Sequence, residues 1–391
     1  MTSDSGAELQ PRLSALPCEI FDQDAVDAEI AAAAARISDE TALRAETVKI
    51  LRTAQTKGRA KIAEAFAANP FDAAAMTVSY TYLTDGMVKS VLKVATQFLH
   101  PAPATAPALS VIGVGGYGRG EMAPFSDVDL LFLLPGKISP WASNVIEAML
   151  YLLWDLKLKV GHSSRTIRDC VQLATEDFTI QTALLEHRYI CGDTDLAQKL
   201  DVTLKRDLFS GSGREFIEAK LAERDSRHIK QGQRYVVEPN VKEGKGGLRD
   251  LQSLFWIAKF IHGVEHSADL VAEGVFREDE YETFKAAENI LWAVRGHLHL
   301  LTNRATEQLT FDMQVSVAEA MRFEDSAGRR AVEVFMQAYF RHATAVGDLT
   351  RIFLTKLEDM HVKSEPLLER IFRRRPRIKD GYVIVHNRIA L

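Results

Sequence analysis

The segment GVGGYGRGEMAPFSDVDLLFLL (113–134) restricts what this chain can fold into more than any other. Five glycines in the eight residues 113–120 cannot continue a helix, so the apolar, β-branched run 109–114 reads as a strand that ends in a glycine turn. The apolar run after Ser126 reads as a second strand, over 127–134. Asp127 and Asp129 are two apart on it, so both carboxylates leave the same face, at the entrance of a strand that is otherwise apolar. Two hard oxygen ligands on one rigid element suit Mg²⁺, or Mn²⁺ in its place, with substrate phosphates filling the remaining positions. Two such ions can clamp the attacking and leaving oxygens of a nucleotidyl transfer. Gly115 and Gly116 let backbone approach a triphosphate and offer it N–H groups. Ser126 adds a hydroxyl donor and Arg119 a positive charge. Alone, an Asp-x-Asp is usually a solvated strand edge and a glycine run usually only a turn. Strand, Gly-Gly, about ten residues and then alternating aspartates together point to a nucleotidyltransferase site.

The rest of the chain is the scaffold for that site. Its 391 residues allow two or three domains, and 47% apolar with 26% charged residues is the balance of a folded, soluble protein. A net charge of −5 argues against a general nucleic-acid binder. No apolar run reaches membrane-spanning length, and residues 1–13 lack signal-peptide order, so a cytoplasmic location is expected. Cys18, Cys170 and Cys191 are too scattered for a disulfide framework or a zinc knuckle.

Residues 1–25 are poorly patterned and read as a loose leader, 24–68 as helix closed by Asn69-Pro70, and 73–99 as a second helix. Four prolines in 100–109 form a stiff connector. Residues 156–166 alternate like a third strand, and 141–154 like a helix between strands. Beyond 196 helical spacing dominates, with stripes at Phe284, Ala287, Leu291, Val294, Leu298, Leu301 and at Phe335, Tyr339, His342, Val346, Leu349, Phe353. His297 and His299 are two apart on a helix and face different ways, which argues against a shared metal. The end, RIKDGYVIVHNRIAL, reads as strands about an Asp380-Gly381 turn, and the basic run 371–379 as a solvated charge run.

The run GGYGRGEMAPFSDVDLLFLL resembles the nucleotidyltransferase signature of the DNA polymerase β superfamily. In detail it is similar to the bacterial PII uridylyltransferase/uridylyl-removing enzymes. LLEHRYICGD (184–193), EPNVKEGKGGLRDLQSLFWIAK (238–259), the run 291–321 and VEVFMQAYFRHA (332–343) look like that family in its order, so the resemblance covers roughly 45–391. It implies an α+β fold, a small mixed-sheet polymerase-β-like domain embedded in a mainly α-helical protein. The implied parts are a leader and helical segment (1–100), a catalytic domain (101–195), a helical domain (196–370) and the start of a linker to an HD domain (371–391). It also implies transfer of UMP from UTP to a tyrosine of the PII signalling protein, with release of pyrophosphate. No HD pair with metal-ligand histidines appears, so transfer without removal of UMP or a glutamine response is expected.

Two points go beyond the aspartates. In KEGKGGLRD, Lys242, Lys245 and Arg249 bring positive charge, Gly246-Gly247 permits close approach, and a helix starting near Leu248 adds its N-terminal dipole. That loop suits a triphosphate or the uridine end of the nucleotide. Superfamily members often carry a third carboxylate on a later strand, whereas KVGHSSRT carries none. His162 and Glu186 are the candidates to act in its place, with no residue pattern that chooses between them. Adenylyl transfer and a non-catalytic nucleotide-binding scaffold are the alternatives. The intact aspartates and glycine pair weigh against the scaffold.

Overall fold

Four strands, β1 (Ser110–Gly113), β2 (Val128–Leu134), β3 (Val160–Thr166) and β4 (Arg188–Gly192), make one mixed sheet in the order β3-β2-β1-β4. β1 runs antiparallel to both β2 and β4, and β2 runs parallel to β3. The computed structural model describes residues 12–209, 213–231, 236–264 and 266–361, plus the backbone of three short strands between 377 and 390. Residues 1–11, most of the basic run 371–379 and the Asp380-Gly381 turn lie outside the described residues. The chain divides into two compact units: residues 1–211 with 289–336, and 212–288 with 337–391.

In the first unit, α1 (Pro17–Ile20), α2 (Gln23–Ala34), α3 (Glu40–Ala68) and α4 (Ala73–Val94) precede the sheet. Asp22, Asp39 and Asp72 each accept a backbone N–H as N-cap, which divides the helical text more finely than periodicity alone. α3 stops at Asn69, before Pro70, and α4 passes into a π-helical turn at Ala95–Leu99. Residues 12–25 are not loose. Ile20 and Phe21 are 1% and 3% exposed, and a Cβ on Gly86 of α4 would lie 2.3 Å from the Phe21 ring. A glycine in mid-helix opens the slot that the aromatic fills, a pairing with no periodicity to reveal it.

β2 is the interior strand, which explains its unbroken apolar text: every residue but Asp129 is buried. After α5 (Gly115–Arg119), the helix α6 (Pro140–Asp155) crosses from β2 to β3. Its start is set by Ser139, whose hydroxyl accepts the Ala142 N–H, and by Pro140. Leu131 and Leu133 of β2 and Ile112 of β1 join a core with Cys170 and Ala174 of α7 (Ile167–Glu176), Leu184 of α8 (Phe178–Leu185) and Leu200 and Leu204 of α9 (Thr194–Asp207). All three cysteines are free thiols.

In the second unit, α10 (Arg214–Gln231) and α11 (Leu248–His262) are joined by Phe216 stacked on Phe260 at 4.6 Å. α12 (Asp269–Ala272), α13 (Glu278–Thr302) and α15 (Ala331–His361) follow, with α14 (Phe311–Ala320) and residues 289–302 of α13 counted in the first unit. The two predicted stripes are buried on α13 and α15 except at Leu301, which lies in the last turn of α13, and at half-buried His342. β5 (Arg377–Lys379), β6 (Tyr382–Val385) and β7 (Arg388–Ala390) pair antiparallel. The chain is thus α+β and mainly helical, with one small mixed sheet carrying the aspartates.

Phe21→Ala should lower the unfolding free energy by about 3–5 kcal/mol through the cavity left against Gly86. Chemical denaturation measures it, and an unchanged midpoint would return residues 12–25 to the status of a leader.

Candidate active site

Register places the site. Asp129 pairs with Gly161 across β2 and β3, and a Cβ on Gly161 would lie 2.4 Å from Asp129 Oδ1. Any other residue there would push the carboxylate away. On the other side, Val114 donates its N–H to the Asp129 carbonyl at 3.0 Å, which brings Gly115 next to that residue. Gly115 has φ +59°, a conformation glycine takes without strain, and its absent Cβ would lie 3.5 Å from Asp129 Oδ2. The Asp129 carboxylate therefore lies among two glycines and opens on a cavity of about 340 Å³.

Gly161, Ser163, Arg165, Thr179 and Ile180 are among its other lining residues. Ser163, Arg165 and Thr179 have no counterpart in the sequence expectation. Alternation along β3 would have put Ser163 and Arg165 on the face of Asp129, but only with the β2–β3 register in hand.

Asp127 is exposed and sits one residue before β2, whose first N–H, from Val128, donates to the Lys159 carbonyl at 2.8 Å. Ser126 closes the preceding turn, its hydroxyl oxygen accepting the Ala123 N–H at 2.9 Å. The hydroxyl proton remains available for a further bond. His162 does not join the aspartates. It pairs with Leu130, on the alternate face of the strand, and its ring meets Trp154 edge-on at 6.3 Å.

Arg119 and Glu186 are joined to each other. The Arg119 guanidinium bridges Glu186 and Glu121, at 2.5 Å to the latter. Burial pulls the Arg119 pKa down, but the charges of Glu186 and Glu121 more than offset it, and the net shift is upward. Glu186 is 2% exposed. The arginine expected to meet phosphate and the acid expected to act as base thus form one ion pair. Arg188 completes this support. It holds Asp85 of α4 through both carboxylate oxygens, at 2.7 and 3.0 Å, and donates to the Tyr117 and Gly118 carbonyls. The glycine turn is in this way tied to β4 and α4 by a side chain that no motif singled out.

The loop 240–250 belongs to the second unit. α11 starts at Leu248 as the sequence suggests. Its first N–H groups are nevertheless taken: Leu248 donates to Val241, Arg249 to Lys242 and Asp250 to Gly247. The Gly246 N–H goes to the Asp250 carboxylate at 2.8 Å, which Arg227 and His228 also hold. Gly246 and Gly247 are buried, and a Cβ on Gly246 would lie 2.3 Å from the Ala343 carbonyl. These glycines serve packing, and the expected anion seat at the helix start is filled by Asp250. Arg249 bonds Gln252 and Glu243 and lies over Trp256. Lys245 is exposed and Lys242 half-buried. Any charge this loop offers an anion comes from its side chains.

Removing Arg119 leaves a buried carboxylate without its main partner. Arg119→Met should cost about 3–5 kcal/mol in urea unfolding with no nucleotide present. A change below about 0.5 kcal/mol, the size usual for a surface substitution, would show that the pair does not hold the fold.

Comparison with known proteins places this geometry. Residues 215–354 match the family described as GlnD PII-uridylyltransferase. Residues 10–151 match the family described as glutamate-ammonia ligase adenylyltransferase. A bifunctional uridylyltransferase/uridylyl-removing enzyme of Ruegeria pomeroyi is 63% identical over 95% of this chain and 41% of its own length. Proteins of the same name from Cereibacter sphaeroides and Azospirillum brasilense are 54% and 48% identical, over 99% and 81% of the chain and 42% and 34% of their own length. The chain therefore spans about two fifths of the length of its curated relatives. On these matches it belongs to the family of bifunctional uridylyltransferase/uridylyl-removing enzymes.

Proposed function

We propose that this chain is a nucleotidyltransferase that moves UMP from UTP to a tyrosine hydroxyl of the PII protein and releases pyrophosphate. The observation that supports it best is the Asp129 carboxylate set between Gly161 and Gly115 at the mouth of a cavity, with Asp127 two residues before it. Two aspartates without histidine or thiolate suit Mg²⁺, or Mn²⁺, which take few protein oxygens and complete their shell with water and phosphate. When bound, the ion neutralises triphosphate charge at the reacting phosphorus. The chain's own residues orient the nucleotide. N–H groups of Gly115 and Gly116, the Ser126 hydroxyl and the Arg165 guanidinium are assigned to phosphate oxygens. Arg119 is not, because Glu186 and Glu121 hold it.

In the reaction the tyrosine oxygen bonds to the α-phosphorus and the bond to the bridging oxygen breaks, so pyrophosphate leaves. A phenol titrates near 10, so its proton must be drawn off at neutral pH. Neither Glu186 nor His162 is assigned that task, since one is paired with Arg119 and the other lies against Trp154 on the opposite strand face. The acceptor is the PII protein that the matching family's description names. No described helix is long and apolar enough to cross a membrane. Adenylyl transfer remains the second reading, supported by the match of residues 10–151 to an adenylyltransferase family.

The test is incubation of the chain with PII, Mg²⁺ and each labelled nucleoside triphosphate in turn. Label from UTP alone is expected. Label from ATP alone would favour the second reading, and none from any would overturn both. Asp127→Asn and Asp129→Asn should each lower the rate about a hundredfold or more, the range seen when one preorganised charge contact is lost, with melting unchanged. Gly161→Ala should do the same by displacing the Asp129 carboxylate. Full activity in either aspartate variant would remove the metal assignment.

A further inference from the structure

His299, on the part of α13 that belongs to the first unit, is fully buried. Its Nδ1 accepts a hydrogen bond from the Phe125 N–H at 3.3 Å. A backbone N–H only donates, so Nδ1 carries a lone pair and the proton of the neutral ring is on Nε2. Nε2 lies 3.5 Å from Glu307 Oε1. Glu307 is gripped by Arg295, whose Nε and Nη2 donate at 2.9 and 2.8 Å. Burial alone would raise the Glu307 carboxyl, but the His299 hydrogen bond and the Arg295 charge outweigh it and bring its pKa down to about 2. An ionised carboxylate facing Nε2 favours the tautomer that leaves Nδ1 open to Phe125.

Phe125 stands two residues before Asp127. It lies within the turn closed by the Ser126 N–H to the Ala123 carbonyl, 3.1 Å, and by the Ala123 N–H to Ser126 Oγ. Its ring is covered by the Arg59 guanidinium, 4.3 Å from the centroid. The next fixed point is the Val128 N–H on Lys159. Only Ser126 and Asp127 lie between the two anchors, a span of three Cα–Cα steps of about 3.8 Å each. With both ends held, little freedom is left in where Asp127 presents its carboxylate.

We propose that His299 is a positioning residue for the aspartate pair: its Nδ1 fixes the Phe125 backbone and thereby the turn from which Asp127 is presented beside Asp129. This rests on the reading of Asp127 and Asp129 as the metal seat. Glu307 and Arg295 set the imidazole, and Arg59 holds the aromatic ring of the same turn.

Two substitutions of similar polarity separate positioning from packing. In His299→Asn the amide oxygen falls near the Nδ1 position and can accept from Phe125. In His299→Gln the amide falls near Nε2, toward Glu307, and cannot. Hydrogen exchange at the Phe125 amide of the full chain, with no nucleotide or metal, should speed up roughly three- to tenfold in His299→Gln, the worth of one hydrogen bond. It should stay within about twofold of the unmodified chain in His299→Asn. In transfer from labelled UTP to PII, the Mg²⁺ concentration for half-maximal rate should rise by a similar factor in His299→Gln and not in His299→Asn. Equal loss in both variants, or no change in His299→Gln, would overturn the proposal. So would a ¹⁵N shift showing a protonated Nδ1 in the unmodified chain, a reading that needs no variant to fold. If the unmodified chain transfers nothing, the proposed function fails while the exchange measurement still decides the role of His299.

Discussion

The parallel register of β2 on β3 is what the candidate site depends on. It sets Asp129 opposite Gly161, where a single Cβ would lie 2.4 Å from the carboxylate oxygen. A slip of one residue would set His162 opposite Asp129 and turn the apolar text of β2 to the wrong faces. Burial of Leu131 and Leu133 against Cys170, Leu184 and Leu200 opposes that slip, so the hydrophobic core and the acidic site are fixed by one pairing. Core packing here does more than stabilise: it sets the single register in which the carboxylate has room.

Around that pairing the first unit keeps its charges in closed sets. Arg119 is held by Glu186 and Glu121, Arg188 by Asp85, and Arg295 by Glu307. A buried ion pair seldom adds net stability over apolar packing, but breaking one is costly, so such pairs favour one arrangement over its neighbours. Each joins elements far apart in sequence: α5 to the end of α8, β4 to α4, and α13 to the segment after it. The glycine turn, too poor in side chains to pack itself, is positioned by Arg188 and Arg119. Asp127 and Asp129 stay outside these sets, where an exposed and a half-buried carboxylate can meet an incoming cation.

Much of this was legible in the sequence. Glycine run, aspartate spacing and apolar text gave β1, β2 and the turn between them, Asn69-Pro70 gave the end of α3, and the start of α11 at Leu248 followed from KEGKGG. What failed depended on distant residues. Nothing near Glu186 announces Arg119, 67 positions away. Alternation along β3 is readable, but which face meets Asp129 is not. Phe21 looked like part of a leader because its partner is the absence of a side chain at Gly86. In the loop 240–250 the residue types suited an anion, yet their N–H groups close on the loop itself and on Asp250. Composition specifies what a loop can offer, and only its hydrogen bonds tell what it has left.

The pair His297 and His299 shows the same limit. Their spacing excludes a shared metal, and the structure gives each its own partner: His297 stacks on Phe66 at 4.3 Å and meets the Pro70 carbonyl at 3.0 Å, while His299 meets Phe125. Burial lowers the pKa of His297, which suits a neutral ring between an aromatic and a carbonyl. Two residues apart on a helix are about 200° apart around it, so one helical stretch reaches the end of α3 and the acidic turn at once. A leucine at either position would pack as well, but only a ring nitrogen can answer both a backbone group and a second polar partner in the core. The histidines thus link helical scaffold to the turn before Asp127, and the placement of that turn is as much a product of α13 as of the sheet it leads into.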